Sequence, residues 1–334
     1  MKLDITLDQD PLAVEDAARA AESDGYDGVW LGETTHDPLV GCALATRSTS
    51  RVEVGTGIAI AFARSPMTLA VTANDLQVLS SGRFVLGLGS QVKAHITRRF
   101  SMPWSHPAPR MREFVLALRA IWRCWEEDEP LDFTGDFYTH TLMTPFFTPA
   151  PHPHGAPRIL LAGVGEGMTR VAGEVADGLL CHAFTTERYL REVTVPALVE
   201  TRRAAGAAMD GFEISGVPFV VTGATEEQMT ASARAAREQI AFYASTPAYR
   251  SVLDHHGWGD LQPELTRMSK EGKWVEMGGL IDDDMVRTFA AVGDVPTVAR
   301  ELRERWDGAA TRLSFYAPYQ FDAELRQTLL SELS

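Results

Sequence analysis

Short apolar runs alternate with longer amphipathic stretches along almost the whole chain. Residues 2–7 alternate apolar and polar as a half-buried strand does. Gly28–Leu31 and residues 52–58 are near-continuous apolar runs of the kind buried on both faces of a parallel sheet. Similar runs recur at 83–88, 158–162, 178–182, 212–222 (interrupted at Pro218) and 312–316. The intervening stretches carry helical signals. Residues 12–21 are alanine-rich. Ser65 and Pro66 form an N-cap followed by a first-turn proline, ahead of Leu69, Ala73, Leu76 and Leu79 at a 3.6-residue period. Met111, Phe114, Leu118, Ile121 and Trp125 share one helix side. Further helices are predicted after Gly167, over 187–205 and 226–243, and behind Asp294 with Val298, Leu302 and Trp306 in phase.

Eight strand-like runs alternating with helices predict a (β/α)8 TIM barrel. A doubly wound open sheet is the alternative, but its GxGxxG fingerprint after the first strand is missing, since residues 7–12 hold no glycine. Three stretches break the rhythm and read as insertions in a single barrel domain spanning 1–334. They are a polar excursion at about 91–109, an aromatic and threonine-rich hairpin within about 132–150, and a helical insertion or lid at about 245–285.

With 334 residues, 45% of them hydrophobic, the chain can bury a large core. No apolar run approaches the ~20 residues of a membrane span, and the acidic start does not suit a signal peptide. A cytoplasmic location is therefore expected. Cys42, Cys124 and Cys181 are widely spaced, without a CxxC pair, so neither a disulfide framework nor a zinc cluster is implied. The net charge of −14 argues against nucleic acid and anionic membranes, leaving a small molecule as the expected partner. An anionic ligand would need a local positive patch.

In a parallel α/β enzyme the chemistry sits at the carboxyl ends of strands. The second strand empties into Gly32-Glu33-Thr34-Thr35-His36-Asp37-Pro38, which puts a carboxylate close to an imidazole. His36 suits a general acid or base, or else a capping or core histidine held by Glu33. Other strand ends offer Gly57, Ile58 and Ala59; then Gly87, Gly89, Ser90, Gln91 and Lys93; then Gly163, Val164, Gly165, Glu166, Gly167 and Met168; and finally His182. Glycine-rich strand-to-helix turns suit a phosphate, although the glycines also serve tight turning alone. Lys93, Arg98 and Arg99 strengthen the anion reading, although Arg98 and Arg99 read equally well as ordinary surface charges. The pair His152 and His154 has no carboxylate or cysteine partner for a metal, and His255-His256 reads as a polar loop. Trp104, Trp258 and Trp274 either pack loops or line an apolar pocket. Gly-x-Ser-x-Gly, P-loop and HExxH motifs are absent.

Several pieces in order resemble the bacterial luciferase-like superfamily and, within it, the coenzyme F420-dependent oxidoreductases. They are Gly25-Tyr26-Asp27-Gly28-Val29-Trp30 leading to Glu33 and His36, Val54-Gly55-Thr56-Gly57-Ile58 with Ala63-Arg64-Ser65-Pro66, and the run from Ser81-Gly82-Arg83 to Gly89-Ser90. Leu161-Ala162-Gly163, the run 172–178, and Val292-Gly293-Asp294 complete the set. The stretches 99–104 and 142–147 further resemble an actinobacterial subgroup of undefined substrate.

The resemblance implies a deazaflavin or flavin at the carboxyl face of the barrel. The ring would be backed by a third-strand bulge with a non-proline cis peptide at Gly57–Ile58. It implies a cofactor phosphate at residues 163–168, the ring's polar edge at Gly87, Gly89, Ser90 and Gln91, and proton transfer by His36 and Glu33. Lys93, Arg98 and Arg99 would meet the phosphodiester and oligoglutamate tail of F420. Ile60 departs from the polar residue some relatives carry near the ring. Residues that define sugar-phosphate substrates have no clear match. The expected activity is hydride transfer between deazaflavin C5 and a small organic substrate holding a C=C, C=N or carbonyl/alcohol group. The alternatives are an FMN-dependent luciferase-like monooxygenase using O2 with a partner reductase, and a non-catalytic flavin-binding barrel. Apolar helix faces such as 69–79 would permit a homodimer, but barrel packing explains them equally.

Overall fold

A computed structural model describes residues 1–333. Eight parallel strands are built from the predicted runs: β1 (Lys2–Thr6), β2 (Gly28–Leu31), β3 (Glu53–Thr56), β4 (Phe84–Gly89), β5 (Arg158–Gly163), β6 (Gly178–Cys181), β7 (Glu213–Gly216) and β8 (Arg312–Leu313). Each pairs with its neighbours in sequence, and β8 returns to β1, so the sheet closes into a TIM barrel. Closure removes every sheet edge and explains why β2, β4 and β6 are buried along their whole length.

The outer helices start where local chemistry supplies acceptors for their first N–H groups. Ser65 accepts from the Thr68 N–H at 3.1 Å, Asp37 from Leu39 at 2.9 Å and Asp294 from Thr297 at 3.1 Å. The helix Pro107–Glu126 buries Met111, Phe114, Leu118, Ile121 and Trp125 against the barrel, as its spacing predicts. The predicted helix over 187–205 is instead two α segments joined by a π-type turn at Leu190–Thr194.

The predicted seventh strand divides at Pro218. Phe219–Val221 keeps a single bridge to Tyr316 beyond β8 and pairs in parallel with Ala290–Val292 in a separate small sheet. Proline has no N–H for the ladder, while its carbonyl accepts from Tyr316 at 2.8 Å. Around this small sheet the helices Glu226–Ala244, Arg250–His255, Leu261–Lys270 and Asp283–Phe289 bury a second apolar cluster, centred on Ile240, Leu265, Met285 and Phe289. The region 245–285 is thus helical and packed. The predicted hairpin shrinks to Phe133–Thr134 against Thr139–His140, followed by a 3-10 turn at Pro145–Phe147.

The amino ends of the strands close on charge. Lys2, Glu53, Arg158 and Glu213, from β1, β3, β5 and β7, alternate in sign and are bridged at 2.6–3.0 Å. This is one layer contributed by alternate strands. Inside it, Arg312 is fully buried and binds both carboxylate oxygens of Asp4 at 2.8 Å. It also bonds Glu53, and Glu213 at 3.1 Å. Among the described residues no helix is long and apolar enough to cross a membrane.

Candidate active site

At the carboxyl ends of the strands a cavity of about 860 Å³ opens. Every strand supplies part of its lining: Thr6 from β1, Trp30 from β2, Gly57 and Ile58 after β3, Gly89 to Gln91 from β4, Gly163 from β5, His182 after β6, Ser215 from β7, and Ser314 and Tyr316 after β8.

One wall is the break after β3. Strands β3 and β4 approach so closely there that a Cβ on Gly87 would stand 1.8 Å from the Thr56 carbonyl oxygen, while Thr56 Oγ1 donates to the Gly87 carbonyl at 2.6 Å. The Gly57–Ile58 peptide is cis. Ile58 packs over Gly89, and the chain pairs with β4 again at Ala59 and Ile60. Glu33 braces this segment. Its Oε2 accepts from the Ile60 N–H at 2.7 Å and from Arg64 Nη1 at 2.6 Å, and Arg64 Nη2 reaches Asp37 at 2.9 Å. Burial opposes charge on Arg64, but its bonds to Glu33 and Asp37 hold its pKa above the ordinary arginine value.

The opposite end is the turn expected from sequence to act as an anion cradle. Strand β5 runs through Gly163 and Val164 into the helix Glu166–Val175, whose N-cap is Gly165. No side chain caps it, which leaves its first-turn N–H groups without a side-chain acceptor beside the cavity. A Cβ on Gly165 would meet nothing within 4 Å, so the space there is open. Lys93 lines the same cavity. Arg98 and Arg99 follow on the turn His95–Arg99, where Arg99 Nη2 donates to the Thr34 carbonyl at 2.5 Å.

The third wall is aromatic. His182 Nδ1 accepts from the Phe184 N–H at 3.1 Å, and Tyr243 and Tyr249 flank the ring at 4.6 and 4.7 Å between centroids. Burial pushes the His182 pKa down to about 4 and that of the neighbouring Cys181 thiol up to about 12. Burial likewise raises the Tyr243 and Tyr249 phenols. His182 is therefore neutral at pH 7, with its proton on Nε2.

The cavity brings together Gly57, Ile58, Gly89, Ser90, Gln91, Lys93, Gly163, Val164, Gly165, Gly167, Met168 and His182, all named from sequence. Five others fall outside its lining. Gly87 is taken up by the strand contact, and Ala59 is fully buried. Glu166 is exposed and paired with Arg170. The remaining two bear on the expected chemistry. Glu33 is committed to Arg64 and the Ile60 amide and makes no hydrogen bond to His36 among the described residues. His36 itself is exposed in the turn after β2. The imidazole in the cavity is that of His182.

The family model described as luciferase-like monooxygenase matches residues 4–312. This chain belongs to the luciferase-like monooxygenase family. Within that family it is 53% identical to the uncharacterized protein Rv1360 of Mycobacterium tuberculosis, over 94% of this chain and 92% of that one. A 5,10-methylenetetrahydromethanopterin reductase of Methanopyrus kandleri is 24% identical, over 96% and 93%. In fold, a coenzyme F420 dependent tetrahydromethanopterin reductase from Methanopyrus kandleri superposes with a TM-score of 0.80 at 21% identity, covering 99% of this chain and 97% of that chain. The EDTA monooxygenase EmoA of Chelativorans sp. BNC1 gives 0.71 at 16% identity, covering 100% and 92%.

The strand ends supply much of the cavity lining, but several lining residues come from elsewhere. Trp104 enters from the excursion before the helix Pro107–Glu126, Ala108 from the first turn of that helix, Tyr243 from the end of Glu226–Ala244, and Ala248 and Tyr249 from the predicted insertion. Of the two roles left open for Trp104 in the sequence, packing a loop or lining a pocket, it takes the second. The strand-end rule reaches Tyr316 and Ser314. Nothing in the local sequence marks Tyr243 or Tyr249, whose placement depends on how the second cluster packs onto the barrel.

Proposed function

We propose that this protein is a coenzyme F420-dependent oxidoreductase acting on a small organic substrate. The observation that carries this reading is the single cavity joining the Gly57–Ile58 wall to the uncapped helix at Gly165, of a volume usual for cofactor sites (about 300–1,000 Å³). Its donor set suits an anionic, tailed cofactor: free backbone N–H groups at one end and Lys93 beside them, with Arg98 and Arg99 on the adjoining turn. Relatives named as F420-dependent support it, including a putative coenzyme F420-dependent oxidoreductase of Mycobacterium tuberculosis, 27% identical over 94% of each chain.

Residues 163–168 would hold the phosphodiester, Ile58 and Gly57 would back the ring, and Ser90 and Gln91 would meet its polar edge. When bound, F420 supplies two-electron hydride chemistry at C5. The chain's own residues do the rest. Glu33 and Arg64 keep the 57–60 segment in place, Trp30 and Ile58 exclude water from one side, and neutral His182 offers an N–H to an electron-rich atom of the substrate.

The competitor is an FMN-dependent monooxygenase, because EDTA monooxygenase shares the fold. Separate titrations with F420 and FMN distinguish them, read by quenching of Trp30 and Trp104. Saturable quenching by F420 at low micromolar concentration, with FMN at least tenfold weaker, is expected. The reverse order rejects the proposal.

A further inference from the structure

The part of the cavity away from the anion cradle is uncharged throughout. Among the described residues the lining holds one lysine, Lys93, on the β4 turn beside the cradle, and no Asp, Glu or Arg. The aromatic wall consists of His182, Tyr243, Tyr249 and Tyr316, closed behind by Phe184 and Phe219. Burial holds His182, Tyr243 and Tyr249 in their neutral forms. A carboxylate or phosphate seated there would lose its hydration without gaining a counter-charge, a cost of several kcal/mol.

The same wall offers a directed donor. The Phe184 N–H occupies His182 Nδ1, so the ring hydrogen sits on Nε2, which has no hydrogen-bond partner among the described residues. A ring donor that faces the cavity without a protein partner favours a ligand acceptor at that point. The flanking phenol rings at 4.6 and 4.7 Å fix the imidazole and present flat apolar surface beside it.

We infer that this lobe binds an uncharged, flat or aromatic-bodied compound carrying one acceptor atom, a carbonyl or imine, which His182 Nε2–H engages. The inference deepens the oxidoreductase reading and rests on it. It separates this chain from family members acting on phosphorylated sugars. Tyr249, contributed by the segment after the helix Glu226–Ala244, is the positioning residue for His182.

The test uses three probes of matched size on the full-length protein, with and without F420. They are benzylideneacetone (neutral, with acceptor), cinnamate (anionic) and 4-phenyl-1-butene (neutral, no acceptor), with binding measured calorimetrically at pH 7.5. Benzylideneacetone should bind at least tenfold tighter than cinnamate and at least fivefold tighter than the hydrocarbon. His182→Phe should abolish the second preference and keep the first, while His182→Gln, which retains an N–H donor, should restore part of it. Cinnamate binding as tightly as the enone overturns the inference, as does a preference for the enone over the hydrocarbon that survives His182→Phe. Failure of all three probes to bind also overturns it. The F420 arm separates the two claims: absence of F420 binding with probe discrimination intact rejects the cofactor reading alone, and F420 binding without discrimination rejects the substrate class alone.

Discussion

Glu33 and His182 show how little a residue's type says about its work until its partners are known. Glu33 satisfies a backbone N–H and an arginine in a site where its side chain is 7% exposed. Glu33→Ala strands both donors and should cost about 2–4 kcal/mol in urea unfolding. His36→Ala, at an exposed position, should stay within about 0.5 kcal/mol and leave ligand affinity unchanged. A large loss of affinity in the His36 variant with normal stability would contradict this assignment. His182 and His256 make a pH prediction. Burial lowers both to about 4, with His255 and Arg188 adding to the effect on His256. Because the unfolded chain takes up their protons first, near pH 6.5, stability should fall as pH drops from about 6.5 to about 4. His182→Gln should flatten that slope. A slope identical to the parent's would show that His182 is solvated. In the sequence the proximity of Glu33 to His36 is visible, but the competing claim of Arg64, 31 residues further on, is a tertiary fact.

Two glycines, one inside β4 and one in the turn after β5, separate a residue that serves the fold from one that faces the cavity. Gly87→Ala drives a methyl into the Thr56 carbonyl, and the variant should lose more than about 3 kcal/mol or fail to fold. Gly165→Ala has room and an ordinary φ of −83°, so it should cost well under about 1 kcal/mol. Its methyl group nevertheless stands at the mouth of the anion cradle, and cofactor affinity should drop about tenfold. Full affinity in Gly165→Ala would take the anion away from this turn. Both glycines look alike in sequence, since each sits at the end of an apolar strand. The strands themselves were legible because burial on both faces requires continuous apolar runs, and most helices because one face must be apolar. Pro38–Ser48 lacks that signature: Leu39, Cys42 and Ala45 are buried, yet Val40, Ala43 and Leu44 are apolar too, and the period vanishes. The strand at 212–222 kept its apolar pattern across Pro218 while changing sheets, which no periodicity reports.

The whole molecule separates stability from chemistry along the barrel axis. Its amino end is a buried ion network about Arg312, its carboxyl end a cavity almost free of charge. Arg312→Met leaves Asp4 buried without its bidentate partner and should cost about 3–5 kcal/mol, with cofactor affinity of the folded fraction unchanged. The network also sets acid sensitivity. Burial alone would raise the Glu53 carboxyl, but Arg312, Arg158 and Lys2 pull it down to about 2, and the same cations lower Glu213. Their folded pKa values lie below the unfolded ones, so this stability is complete above about pH 4.5 and is lost as pH falls toward 2. Arg312→Met should shift the acid midpoint upward. The alternation of eight strands made the barrel readable from sequence, whereas the meeting of a β6 histidine, a β8 tyrosine and two tyrosines from the second cluster depends on closure itself. The most direct test of the account is a crystal structure with F420 bound. The account predicts the ring against Ile58 and Gly57, the phosphodiester within hydrogen-bonding distance of the N–H groups at residues 165–168, and open space between the ring and His182. A ring elsewhere, or a phosphodiester bound away from that turn, would contradict it.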